Sequence, residues 1–413
     1  MRTPIAKKLA NPFRPGAGHM PPYLAGREEE KKEFTKLLSQ DVVIANLILT
    51  GLRGLGKTVL LETFKPIALA ADWLWVGTDM SESMTVSEET LAVRLLADLA
   101  VVTSGITIVS KEPQDFVLTK ARRDVHRPLN FTELKTLFME TPGLIADKLK
   151  LVFETVWGVL SQTGRRGVVF AYDEAQNLAD HKKKDQYPLS LLLDVFQSIQ
   201  RKNIPFMLVL TGLPTLFPKL VEARTYAERM FRLLSLNKLD EANSREAIIK
   251  PIAKTQCPLV VNPRSVDEII RISDGYPYFI QYVCREVYDI WIQNLDSGNT
   301  PSPIPSEAIL RKLDTDFFAG RWAKATDRQR DLLCLIADLP TCDSEFTIQE
   351  VTEAAQKGTQ KPFSPSLVNQ MLGQLTESGL VYKNRHGKYS LAVPLLAQFI
   401  RRQRTQVEPL LFP

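Results

Sequence analysis

Ile44-Ala45-Asn46-Leu47-Ile48-Leu49-Thr50-Gly51-Leu52-Arg53-Gly54-Leu55-Gly56-Lys57-Thr58 decides how the rest of the chain is read. The apolar run over 42–49 reads as a buried strand. The spacing G-x-x-x-x-G-K-T follows from Gly51 to Thr58, and helix-favouring residues continue from Val59 to Phe64. Strand, glycine-rich turn and helix in that order make a phosphate cradle. Gly51, Gly54 and Gly56 admit backbone conformations closed to residues with a Cβ, and so bring N–H groups close to an anion. The helix starting near Lys57 turns its positive end toward the phosphates. Lys57 can reach the β- and γ-phosphates, and the Thr58 hydroxyl can ligate Mg²⁺. The phosphate-binding set is therefore Gly51, Leu52, Arg53, Gly54, Leu55, Gly56, Lys57, Thr58 and Val59.

Working outward, Gly167-Val168-Val169-Phe170-Ala171-Tyr172-Asp173-Glu174 is a continuous apolar run closed by two carboxylates, the pattern of a fully buried parallel strand. Asp173 fits the protein ligand of Mg²⁺ and Glu174 the general base that polarises an attacking water. The same pair would also serve as a cap for the next helix. Thr211 ends the strand expected beside that one, where a hydroxyl can sense the γ-phosphate or cap the following helix. Arg229 and Arg232 lie at the far end of this region. Either can reach a γ-phosphate held by a neighbouring subunit, or can simply pair with Glu222 or Glu228.

The 413 residues allow two or three domains. Net charge is +5, from 52 Lys+Arg against 47 Asp+Glu, too mild to argue for nucleic acid by itself. Cys257, Cys284, Cys334 and Cys342 show no C-x-x-C spacing, which speaks against a zinc site or disulfide framework. No apolar run approaches a membrane span and no signal-peptide core precedes residue 23, so a cytoplasmic protein is expected. Residues 1–23 read as a flexible basic arm. The region 24–238 reads as an α/β core of alternating strands and helices, a parallel sheet with helices on both faces. Within it, 103–142 reads as an insertion carrying the basic cluster Lys120, Arg122, Arg123, His126 and Arg127. Helices without strands follow over 239–298. After a proline-rich linker, 299–413 carries helices at 305–318, 326–338, 347–356 and 365–378, then a β-hairpin.

With these residues in hand, the chain resembles P-loop ATPases of the AAA+ and STAND kind, above all the archaeal-type and origin-recognition-type ATPases, over residues 24–400. Gly51 to Thr58 looks like Walker A, Val168 to Glu174 like Walker B, and Thr211 falls at the sensor-1 position. Gly26-Arg27-Glu28 is similar to the entry motif that lies against adenine, which implies a nucleotide contact for Arg27. Gly275-Tyr276-Pro277 resembles the lid motif whose proline packs on the base, which implies a contact for Pro277. Arg229 and Arg232 fall where the family carries its arginine finger. The resemblance implies a P-loop NTPase core (an αβα sandwich), an all-helical lid and a C-terminal winged-helix domain. It also implies ATP, Mg²⁺ and assembly into a homo-oligomer on ATP binding. The lid helix departs from the family in lacking an Arg at the sensor-2 position, where Gln281 and Arg285 are the nearest polar residues.

A winged helix often reads duplex DNA. Here its recognition helix, 364–377, contains no Lys or Arg, and 301–413 has fourteen Lys and Arg against twelve Asp and Glu. Lys383, Arg385, His386 and Lys388 cluster in the wing, and Arg401, Arg402 and Arg404 follow. Two functions stay open. One is an origin-recognition-like or transposition-regulator-like ATPase that assembles on DNA. The other is a STAND-type signalling or phage-defence switch whose winged helix contacts protein.

Overall fold

Five short strands, three of them buried at every position, build the sheet on which the first part of the chain is organised. The computed structural model describes residues 10–16, 18–113, 122–255, 261–296, 303–358, 363–385 and 387–407. It divides into two compact units, one of Glu28–Thr50 with Leu60–Ser235, the other of Met1–Arg27, Gly51–Val59 and Leu236–Pro413.

The first unit runs α1 (Glu28–Leu38), β1 (Asn46–Thr50), α2 (Lys57–Ala70), β2 (Trp73–Val76), α3 (Glu88–Thr103), β3 (Thr107–Pro113), β4 (Arg122–Pro128), α4 (Phe131–Glu140) and α5 (Ile145–Leu160). It continues through β5 (Gly167–Tyr172), α6 (Pro188–Arg201), β6 (Phe206–Gly212), α7 (Leu216–Ala223), α8 (Ala227–Met230) and β7 (Phe231–Ser235). The sheet has the order β2-β5-β6-β1-β7 and every pairing is parallel. Parallel strands covered on both faces need no polar alternation, and β5 and β6 are buried at every position. Asn46, the buried amide that opens β1, is satisfied: its Nδ2 donates to Met230 O at 3.3 Å and its Oδ1 accepts from Leu208 N at 2.7 Å.

Part of the expected insertion over 103–142 packs into the core. Leu129, Leu134 and Phe138 are buried in the cluster that also holds Phe153, Phe170 and Phe196. The antiparallel hairpin β3–β4 precedes α4, with Thr107 opposite Pro128. Of the basic cluster, Arg127 pairs with Glu133 at 3.2 Å, and Lys120 lies outside the described residues.

The second unit runs α9 (Glu241–Lys254), α10 (Pro263–Ser273), α11 (Pro277–Asp296), α12 (Ser306–Leu313), α13 (Gly320–Trp322), α14 (Asp327–Asp338), β8 (Phe346–Thr347), α15 (Ile348–Gly358), α16 (Pro365–Glu377), β9 (Val381–Arg385), β10 (Lys388–Leu391) and α17 (Leu396–Val407). The three strands form an antiparallel sheet in the order β8-β10-β9. The sequence reading expected one helix over 305–318 and no α17. In fact α12 gives way to a π-helical stretch, Asp314–Ala319. Widening the turn there places Phe317 and Phe318 in a chain of rings. Phe279 of α11 lies 5.0 Å from Phe317, Phe317 5.0 Å from Phe318, and Phe318 stacks on Phe399 of α17 at 5.0 Å. Through these rings the expected lid and the C-terminal segment share one apolar core.

The arm differs from expectation. Residues 1–9 lie outside the described residues, but 10–16 and 18–23 are not a free tail. Phe13 is buried, with its ring 6.3 Å from Tyr288. Asn11 Nδ2 donates to Arg285 O at 2.9 Å and Asp289 Oδ1 at 2.8 Å, and the Tyr23 hydroxyl donates to Glu246 at 2.7 Å. An aromatic set among prolines had an apolar slot to fill, which charge counting does not reveal.

Candidate nucleotide site

The glycine-rich loop belongs to the second unit. Its backbone is left-handed at Gly54 (φ +80°) and Gly56 (φ +85°), where a Cβ costs about 1–2 kcal/mol. The loop carbonyls are engaged by protein donors. The Lys57 amine, itself buried, donates to Gly51 O at 2.9 Å and Leu52 O at 3.0 Å. Tyr278 N donates to Gly54 O at 3.1 Å, and Arg27 Nη2 to Leu55 O at 3.1 Å. Among the described residues, by contrast, no protein acceptor takes the backbone N–H of Leu52, Arg53, Gly54, Leu55 or Gly56. A run of N–H groups with carbonyls tied back is an anion nest. Beyond it Thr58 and Val59 sit in the first turn of α2, and a Cβ on Gly18 of the N-terminal segment would come to 3.4 Å from Thr58 Cγ2.

Arg27 is buried and also donates to Asn237 O at 2.9 Å, so it braces the loop against the chain entering α9. Pro277 is the first residue of α11. Its neighbour Tyr278 carries the bond to Gly54, a contact that no reading of the sequence singled out.

The carboxyl edge of the sheet belongs to the first unit. Register places Thr211 opposite Leu49 and Leu210 opposite Tyr172, so β1 and β6 end together and β5 two residues earlier, which sets Asp173 beside Thr211. Asp173, 4% exposed, accepts a hydrogen bond from the Thr211 hydroxyl, and its Oδ1 also accepts from Glu174 N at 2.8 Å. Thr211 therefore does not cap α7, whose N-cap is Thr215. Glu174 is exposed, takes φ +51°, and makes no side-chain cap. A non-glycine residue in that region is strained by about 1–3 kcal/mol, which holds its carboxylate off the helical path. Gln176 Nε2 donates to Glu174 Oε2, while Gln176 Oε1 accepts from Leu213 N at 3.1 Å. Gln176 thus ties the base candidate to the end of β6, and the sequence carried no signal for it.

Behind Asp173, the Tyr172 hydroxyl donates to Asp98 at 2.9 Å, and Arg94 Nε donates to the same carboxylate at 3.0 Å. Burial pushes Asp98 above the usual carboxylate range against the pull of Arg94, and it pushes the Tyr172 phenol well up.

The two arginine candidates separate. Arg232 is held by Glu33 at 3.0 Å. Arg229 is exposed on α8, and among the described residues its side chain has no acidic partner, neither Glu222 nor Glu228. In the C-terminal segment, Arg401 donates to Ala337 O, Arg402 pairs with Asp314 and Arg404 with Asp338. These three arginines, which follow the wing in sequence, form an intramolecular set. Lys383 is exposed and Lys388 half-buried; the side chain of Arg385 and all of His386 lie outside the described residues.

Comparison with known proteins bears on the architecture. The Walker-type ATPase PABY2304 of Pyrococcus abyssi superposes with a TM-score of 0.54 at 17% identity, over 92% of this chain and 96% of that one. The ORC2 protein of Aeropyrum pernix superposes at 0.52 in its ADPNP-ADP complexes, with 14% identity over 95% of this chain and 98% of that one. Its ADP form gives 0.52 at 16%, over 94% and 97%. The chain shares the fold of these proteins. An α/β core with a five-stranded parallel sheet and flanking helical regions is shared across nearly the whole length. A domain of unknown function (DUF8462) matches residues 315–400, and no curated protein matches the chain by sequence.

Proposed function

We propose that the chain is a Mg²⁺-dependent ATPase whose nucleotide state governs its assembly. The observation that carries this reading is the loop with its carbonyls tied back and five successive N–H groups open to an anion, fused to β1 and α2 of a P-loop fold. The resemblance to origin-recognition-type ATPases supports ATP as the nucleotide. The loop amides and Lys57 bind the phosphates. Arg27 and Tyr278 hold the loop in shape, and Pro277 lies against the base. The Thr58 hydroxyl and the Asp173 carboxylate are hard oxygen donors of the kind Mg²⁺ takes. The ion, when bound, offsets phosphate charge and polarises the phosphoryl group. Thr211 orients Asp173, and Glu174, held by Gln176, takes the proton of the attacking water. Arg229 is assigned the reach toward a neighbouring protomer's nucleotide, since Arg232 is already paired.

The test is ATP turnover with binding measured alongside. Lys57→Ala should lose binding by about 100-fold or more. Glu174→Gln should keep ATP bound and slow hydrolysis by roughly 10²–10⁴. Unchanged turnover in the Glu174 variant would remove the base assignment.

Assembly on duplex DNA is the further part of the proposal, through Lys383, Arg385 and Lys388 of the hairpin, with the C-terminal segment as a winged helix. Replacing Lys383 and Lys388 together should weaken DNA retention and flatten its salt dependence by about two phosphate contacts. The internal pairing of Arg401, Arg402 and Arg404 favours a second reading, in which this segment binds protein as in a STAND-type switch. ATP-dependent oligomers with no DNA retention at low salt would select it.

A further inference from the structure

The tip of the glycine-rich loop meets the C-terminal segment within the same unit. Leu52 lines a cavity of about 330 Å³ whose other walls include Tyr276, Tyr382 and Leu395. Arg53 reaches the turn after α16, where a Cβ on Gly379 would stand 4.0 Å from its Nη1. Gly54 is bonded to Tyr278, whose ring lies 5.3 Å from Phe317 of the π-helical stretch. On the Phe317 ring rests the guanidinium of Arg321, at 4.5 Å, with Nη1 donating to Phe317 O at 2.7 Å. Neither Arg53 nor Arg321 has a carboxylate partner among the described residues. The loop and Arg321 are joined through Tyr278 and Phe317, and the charge of Arg53 acts on Arg321, a repulsion that a bound anion would relieve. Burial and the charge of Arg53 accordingly hold Arg321 below its ordinary range.

We propose that Arg321, carried by the C-terminal segment rather than by the lid helix α11, completes the phosphate site with Arg53 and reports the charge of the bound nucleotide to that segment. This rests on the reading of the loop as a nucleotide site. ATP brings one more phosphate charge than ADP to the two guanidiniums, so it draws Arg321 in and orders the π-helical stretch. ADP leaves the pair repelling. The departure noted in the sequence, no arginine at the expected lid position, is met by an arginine that arrives from Gly320–Trp322 instead.

The experiment compares ATP and ADP affinities of the full chain with those of Arg321→Gln and Arg53→Ala, together with amide exchange over 314–322. The wild-type chain should prefer ATP and gain protection over 314–322 with ATP but not ADP. Either variant should lose the preference by about tenfold while still binding ADP. A merely structural role of Arg321 on Phe317 would weaken both nucleotides alike. Arg53→Ala lies on an exposed loop and keeps the test valid if Arg321→Gln fails to fold. ATP binding with unchanged preference and unchanged protection in both variants would overturn the proposal and leave the nucleotide site standing. Failure of the wild-type chain to bind either nucleotide would overturn both.

Discussion

The sheet edge and the helical unit treat their charged residues in opposite ways. At the sheet edge, position along a strand decides role. β5 is buried at all six residues, and its polar groups appear only where the strand stops, at Asp173 and Glu174. In the helical unit, the side of a helix decides role, and neighbours in sequence part company in space. Arg401, Arg402 and Arg404 read as one basic tail, yet they bond to a carbonyl, a buried aspartate and a surface aspartate. A parallel strand can put chemistry only at its end, because its sides are covered. A helix exposes a different neighbour every 100°, so its charges find partners that its spacing alone does not name.

Glycine substitutions test this division most severely. A Cβ on Gly77, just past β2, would stand 1.8 Å from Ala171 O in β5, at φ +129°. Backbone cannot yield as a side chain can, so Gly77→Ala should cost about 4 kcal/mol or prevent folding. A Cβ on Gly56 meets nothing within 4 Å. Gly56→Ala should therefore cost only about 1–2 kcal/mol, from its positive φ, and show its main effect in nucleotide affinity. Denaturant midpoints read beside ATP affinity separate the two. A Gly77 variant as stable as the wild type would break the claim that the sides of the parallel strands are closely covered.

The next test concerns the helical unit. Asp314 is buried to 6% exposure and Arg402 is its partner. Arg402→Ala leaves a buried carboxylate unpaired and should cost about 3 kcal/mol, without changing DNA retention. A variant that keeps its melting temperature but loses DNA would place Arg402 with the wing cations as a phosphate contact instead.

Much of the sheet unit was legible because each signal there has one physical outcome. Apolar runs became β1, β5 and β6, the glycine spacing became the loop, and Thr211 came to lie beside Asp173. What stayed hidden depended on partners distant in the chain. Gln176 tethers Glu174 through an amide that no spacing rule marks, and Tyr278 holds the loop by a main-chain N–H. Phe13 looked like part of a tail because its slot is built from helices near residue 288. The π-helical stretch also had no signal, since its wider turn answers to Phe317 and Phe318 packing on rings from α11 and α17.

The smallest expected effect belongs to Glu268, which links α10 to α12. Bonds from Arg271 and then from Ser306 hold its carboxyl down at about 2, against an ordinary value of 4.5. A depressed pKa means the folded chain binds the proton less readily than the unfolded chain. The stabilisation from Glu268 is therefore complete above about pH 5 and fades as pH falls from there through about 2. The side chain is 29% exposed, so solvent screens part of the interaction. Glu268→Gln should leave the melting temperature little changed at about pH 2 and lower it at pH 7, flattening the acid limb between them. Parallel melting curves for variant and wild type across that range would mean that the α10–α12 contact is carried by packing.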